Sequence, residues 1–211
     1  MRKFFSILCF ISFALTACSS FNDDPIKIGP LPEVSCVAIL PTAIPVGNSD
    51  TLSAARKKSL IEGAVFCDSV IVAELGDRAE FKVLTENQLD AILDDPWGGR
   101  WQQVRDVGKA TGCGAILKTS LSRYRERVGS EMSVETSASA ALSLDLLGVE
   151  RGVVFWSTSF DETQKALFDD IFSFDKAKRY GFKWLSVQDL SRDGLKSRLQ
   201  KLPYFQNMDE E

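Results

Sequence analysis

The 211-residue sequence contains no histidine. That absence excludes Ser-His-Asp and Cys-His catalysis, imidazole acid–base chemistry, and nearly every common zinc, copper or haem site. An enzyme would be left with carboxylates and lysines. A glycan hydrolase of that kind needs two acids roughly 5–9.5 Å apart in a cleft, and the adjacent pairs Asp94-Asp95 and Asp169-Asp170 do not supply one, because neighbouring residues do not face each other. A block of positive charge is missing too. With 25 basic and 29 acidic residues, a net charge of −4 and a pI near 5.1, nucleic acid is excluded as a partner. The reading is therefore of a non-catalytic chain with no metal and no cofactor.

What is present begins at the amino terminus. Arg2-Lys3 precedes an apolar stretch from Phe4 to Ala14, the arrangement of a secretory signal and too short for a membrane-spanning helix. Leu15-Thr16-Ala17-Cys18 follows and resembles the bacterial lipobox, whose cysteine thiol accepts a diacylglycerol. The resemblance implies cleavage after residue 17, acylation of Cys18 and, because Ser19 rather than Asp comes next, sorting to the outer membrane of a Gram-negative bacterium, facing the periplasm. Outer-membrane lipid, held through acylated Cys18, is thus the first expected partner. Residues 18–34 read as a tether with Pro25, Pro30 and Pro32, extending to roughly 50 Å at most.

Residues 35–211 read as one periplasmic domain of mixed α/β class, with parallel strand–helix units first, an antiparallel meander next and a C-terminal helix last. Cys36 to Leu40 is a short apolar run, as expected of a buried strand. Leu60, Ala64, Cys67, Ile71 and Leu75 form a helical stripe within residues 53–75. Phe81 to Leu84 reads as a second strand, and Thr85-Glu86-Asn87-Gln88 as a capping box opening a short helix. A third helix is predicted from Trp101 to Thr111. Three antiparallel strands are predicted at 115–127, 132–147 and 153–161, and Ser186 is predicted to cap the last helix. In the 132–147 strand, Met132, Val134 and every second residue to Leu146 face inward, while Ser133, Glu135, Ser137, Ser139, Ser143 and Asp145 face outward.

The passages Val37-Ala38-Ile39-Leu40-Pro41, Phe81 to Leu93, Val107 to Leu117 and Gly152 to Ser157 together resemble an envelope-lipoprotein group. That group includes the curli secretion-channel lipoprotein CsgG, the TolB amino-terminal domain and the synthase activator LpoB. The resemblance implies an adaptor, assembly factor or regulator that works through an envelope protein; the alternative is an oligomeric secretion-channel component of the curli type. A channel needs apolar membrane-crossing hairpins, and only 132–147 approaches one.

Three cysteines remain after processing. Cys36, Cys67 and Cys113 are read as three buried thiols, with Cys36–Cys67 the geometrically favoured pair if a bridge forms. Two aromatic groups are candidate partner surfaces, each with core packing as its competing reading: Trp97 with Trp101 around Arg100, and Phe168, Phe172, Phe174 and Trp184 ahead of the last helix. The run Arg123-Tyr124-Arg125-Glu126-Arg127 reads as charge that protects a strand edge, or as a site for anionic lipid or glycan.

Overall fold

The computed structural model describes residues 26–27, 32–45, 52–93, 95, 98–129, 134–164 and 185–204. Its strands are β1 (Ile26–Lys27), β2 (Val37–Ile39), β3 (Phe81–Val83), β4 (Ala115–Arg125), β5 (Val128–Gly129), β6 (Val134–Thr136), β7 (Ser139–Gly148) and β8 (Val153–Thr163). Five strands form a mixed sheet, extended at one edge by the short β1, in the order β1-β8-β7-β4-β2-β3. β2 runs parallel to both β3 and β4, whereas β4, β7 and β8 form the antiparallel meander. The helices are α1 (Ala54–Leu75), α2 (Glu86–Ile92), α3 (Arg100–Thr111) and α4 (Val187–Leu199).

Local chemistry accounts for the helix ends. Ser53 accepts the Arg56 amide at the start of α1, Thr85 and Gln88 complete a reciprocal capping box on α2, and Ser186 accepts the Asp189 amide on α4. α3 stops at Gly112, whose φ of 72° is the left-handed conformation that glycine adopts without strain.

The larger core lies between the sheet and the helices α1 and α4, around Ile39, Ile71, Leu117, Leu144, Leu146, Trp156 and Leu195. Glu74 and Lys196 are 2.6 Å apart, and the Arg192 guanidinium lies 5.1 Å from the centre of the Phe66 ring, so polar contacts also join α1 to α4. A smaller core sits on the opposite face, where Val104 and Val107 of α3 meet Ala38, Ile116 and Leu147.

Three expectations are corrected. First, a bridge does form, but it joins Cys36 to Cys113 across 77 residues with the Cα atoms 4.7 Å apart, and Cys67 is the free, buried thiol. Cys36 and Cys113 each precede one of two adjacent parallel strands, with Val37 opposite Ala115, which brings them together. Cys67 faces the larger core, while Cys36 and Cys113 lie in the smaller one on the other side of the sheet.

Second, the long strand at 132–147 is interrupted. Val134–Thr136 turns aside to pair with Val128–Gly129, and β7 starts only at Ser139. Ser139, expected on the outer face, is fully buried and shares a 2.8 Å hydrogen bond with Thr163. Third, the tether is not all free chain: Ile26–Lys27 pairs antiparallel with β8, and the Tyr204 hydroxyl donates to the Pro32 carbonyl at 2.8 Å.

Candidate interaction surfaces

α1 is long and has almost no amphipathic bias. Leu60, Ala64, Cys67, Val70, Ile71 and Leu75 face the core, yet Ile61, Val65 and Val72 are 48%, 65% and 48% exposed. At about 100° per residue these three lie within roughly 40° of arc, one above another on the solvent side. The helix also carries Arg56, Lys57, Lys58, Glu62, Asp68 and Glu74. It is buried on one side only, and its outer stripe offers an apolar contact surface that ordinary surface composition does not require.

The meander has an open face of the opposite character. Successive cross-strand rows read Lys118–Asp145–Ser157, Ser120–Ser143–Ser159 and Arg123–Ala141–Asp161. Ser157 donates to the Asp145 carboxylate at 2.6 Å, and Arg123 is paired with Asp161. These rows of serine and charged side chains make a hydrophilic surface.

The cysteines are not chemically active groups in this setting. Burial, with a smaller effect from the carboxylate of Asp68, pushes the Cys67 thiol up to about 12, so it stays protonated and is no nucleophile at neutral pH. Burial likewise pushes the Tyr124 hydroxyl up to about 12, with Cys67, Glu126 and Glu62 adding to the effect and Arg192 opposing it. Cys36 and Cys113 are spent in the disulfide. Among the described residues, no group of three or more His, Cys, Asp or Glu side chains could hold a metal ion.

Of the expected partner-surface residues, the structure describes one. Trp101 is half-buried against the smaller core, with the Arg100 guanidinium 5.5 Å from the centre of its ring and Gly152 of the β7–β8 turn close by. The core-edge reading therefore accounts for Trp101. Cys18, Trp97, Phe168, Phe172, Phe174 and Trp184 lie outside the described residues. The basic run occupies the end of β4 beyond its pairing with β2 and the bridge from Ala43 to Ser120, where the strand has an open edge. The outer stripe of α1 escaped the sequence reading because its residues sit on the same helix as a complete buried stripe, and burial alone separates the two sets.

No family model matches the chain, and no curated protein matches it. Solved structures similar to it include the PelC dodecamer from Paraburkholderia phytofirmans, at 13% identity and a TM-score of 0.46 over 85% of this chain and 94% of that one. The LpoB C-terminal domain from Escherichia coli is similar at 17% identity and a TM-score of 0.37, over 62% and 84%. Lipoprotein GNA1162 from Neisseria meningitidis is similar at 10% identity and a TM-score of 0.39, over 69% and 97%. At these identities and scores the likeness transfers no partner and no activity.

Proposed function

We propose that the chain is a periplasmic lipoprotein held on the outer membrane through acylated Cys18, and that it works without catalysis, as an adaptor, assembly factor or regulator of an envelope protein. The observation that carries this reading is the pairing of Ile26–Lys27 with β8. Only the steps from Cys18 to Ile26 then separate the lipid from the sheet, a span of at most roughly 27 Å. A domain tied that closely works at the membrane surface. The Cys36–Cys113 disulfide supports export, since such bridges persist in oxidising compartments such as the periplasm. The outer stripe of α1 supports action through contacts.

The curli-channel reading would need a hairpin with an apolar outward band, and the outer face of β7 carries Ser143 and Asp145 instead. The same stripe of α1 could join copies into a ring, and this keeps an oligomer as the second reading. Two measurements test the proposal. Labelling with palmitate is expected to disappear in Cys18→Ala, and label that persisted would end the lipoprotein assignment. Light scattering of the gently extracted protein is expected to give a monomer or a small complex with another envelope protein. A large uniform ring would favour the secretion component instead.

A further inference from the structure

We infer that the basic end of the domain is a seat for the phosphate of an anionic lipid headgroup. The inference rests on the membrane-anchored reading above for its occupant, and on the following geometry for its site. A pocket of about 340 Å³ opens between the first turns of α1 and the end of β4, lined by Ala55, Arg56, Ser59 and residues 123–126. Arg56, Arg123 and Arg125 are among its lining residues, and Lys57, Lys58 and Arg127 stand beside them in the sequence of this acidic chain.

The nearby acids do not neutralise them all. Glu62 pairs with Lys58 at 3.8 Å, and Asp161 pairs with Arg123. Glu126 also lines the pocket, where its carboxylate accepts the Arg127 amide at 2.9 Å and the Val187 amide, at the start of α4, at 3.3 Å. Among the described residues, Arg56, Lys57 and Arg125 have no acidic partner, and the buried Nε of Arg123 has no acceptor. The first turn of α1 contains no acidic residue, so its three cations oppose the helix dipole. That arrangement is unfavourable for the helix alone and is relieved by an anion in the pocket, to which the Arg56 guanidinium offers the forked donors that suit phosphate.

The direction of the chain identifies the source of the anion. β1 runs antiparallel to β8, with Lys27 opposite Trp156 and Ile26 opposite Ser157. A step towards the amino terminus is thus a step along β8 towards Asp161. Asp161 lies opposite Ala141, and Ala141 opposite Arg123. The chain enters β1 from the end of the sheet that carries the pocket, so the point where the chain from Cys18 joins the sheet and the cations without an acidic partner belong to one end of the domain. A headgroup phosphate is the anion that such an end meets.

The experiment uses the full lipidated chain reconstituted in phosphatidylcholine vesicles, with or without a minor share of phosphatidic acid, and reads hydrogen exchange at residues 54–59 and 123–127. Phosphatidic acid is expected to slow exchange in both segments. The double variant Arg56→Ser with Arg125→Ser should weaken this response about tenfold or more, as expected when charge-assisted hydrogen bonds are removed. Arg105→Ser with Lys109→Ser, which removes two cations from α3, should leave it intact. Equal exchange with and without phosphatidic acid, or a response retained in the double variant, overturns the inference. Slowing by inorganic phosphate but not by phosphatidic acid assigns the pocket to a soluble anion and overturns the headgroup seat. Co-sedimentation with pure phosphatidylcholine vesicles reports the anchor separately, so a failure of the lipoprotein reading cannot be mistaken for a failure of the pocket.

Discussion

The two halves of the sheet are built to different rules. Where the strands run parallel, around β2, helices cover both faces: α1 packs on one and α3 on the other, and the Cys36–Cys113 bridge closes the second core. Where they run antiparallel, along β7 and β8, the described helices pack on one face, and the other presents half-buried Ser143, Asp145 and Ser157 and exposed Ser159. Connectivity explains the difference. A parallel neighbour requires a crossover, which lays a helix on the sheet, whereas an antiparallel neighbour needs only the turn at residues 149–152. Rigidity is therefore concentrated at the doubly covered end, while the meander projects a plain hydrophilic face beside the basic pocket.

Removing the bridge tests that contrast most severely. For a closed loop of 77 residues the chain-entropy argument gives about 4 kcal/mol. Cys113→Ser should cost stability on that scale, measured by denaturant unfolding, and should loosen amide exchange at the start of β2 and β4 before the far end of β7. Uniform loosening would mean that the two halves are not distinct. Alkylation checks the pairing: with Cys18 acylated, one thiol (Cys67) should react on unfolding without reductant and three after reduction.

A smaller effect compares the helices on the two faces. A Cβ placed on Gly63 of α1 would lie 2.5 Å from the Tyr124 ring and 2.8 Å from Leu121, both buried. A Cβ on Gly108 of α3 would lie 2.4 Å from Val149, a half-buried side chain on the β7–β8 turn. Overpacking costs about 1–3 kcal/mol and better helix propensity returns about 1. Gly63→Ala should accordingly destabilise by about 2 kcal/mol and Gly108→Ala by about half that or less, compared in parallel thermal melts. The reverse order would place the less yielding packing on the α3 face.

These two rules also explain what could be read in advance. The apolar run at Val37–Ile39, the capping residues Ser53, Thr85 and Ser186, and the alternation from Ala140 to Leu146 are local signals, and each sits in the expected element. Chain order favours Cys36 with Cys67, whereas sheet order sets Cys36 beside Cys113. The strand that begins after Cys113 lies beside β2, not beyond β3, so the first and third strands are neighbours. The break at residues 137–138 was hidden because Val134 and Thr136 keep the alternation although they belong to another ribbon. The basic pocket joins residues 56 and 125, and no local pattern links positions that far apart.

The smallest expected effect is the most informative about the open face. Ser143 stands in an interior strand between Ser120 and Ser159, and on a covered face a change from hydroxyl to branched carbon would alter packing on several sides. On an uncovered face, Ser143→Val exchanges a small polar group for one that suits a pleated surface. Stability should then move by less than about 0.5 kcal/mol, in either direction. A loss above about 1.5 kcal/mol in the isolated full chain would mean that Ser143 packs against another part of the molecule, and the one-sided meander would have to be given up. If stability is unchanged but co-purification with an envelope protein is lost, the hydrophilic face is itself a contact surface, and the exposed stripe of α1 is not the molecule's sole means of engaging a partner.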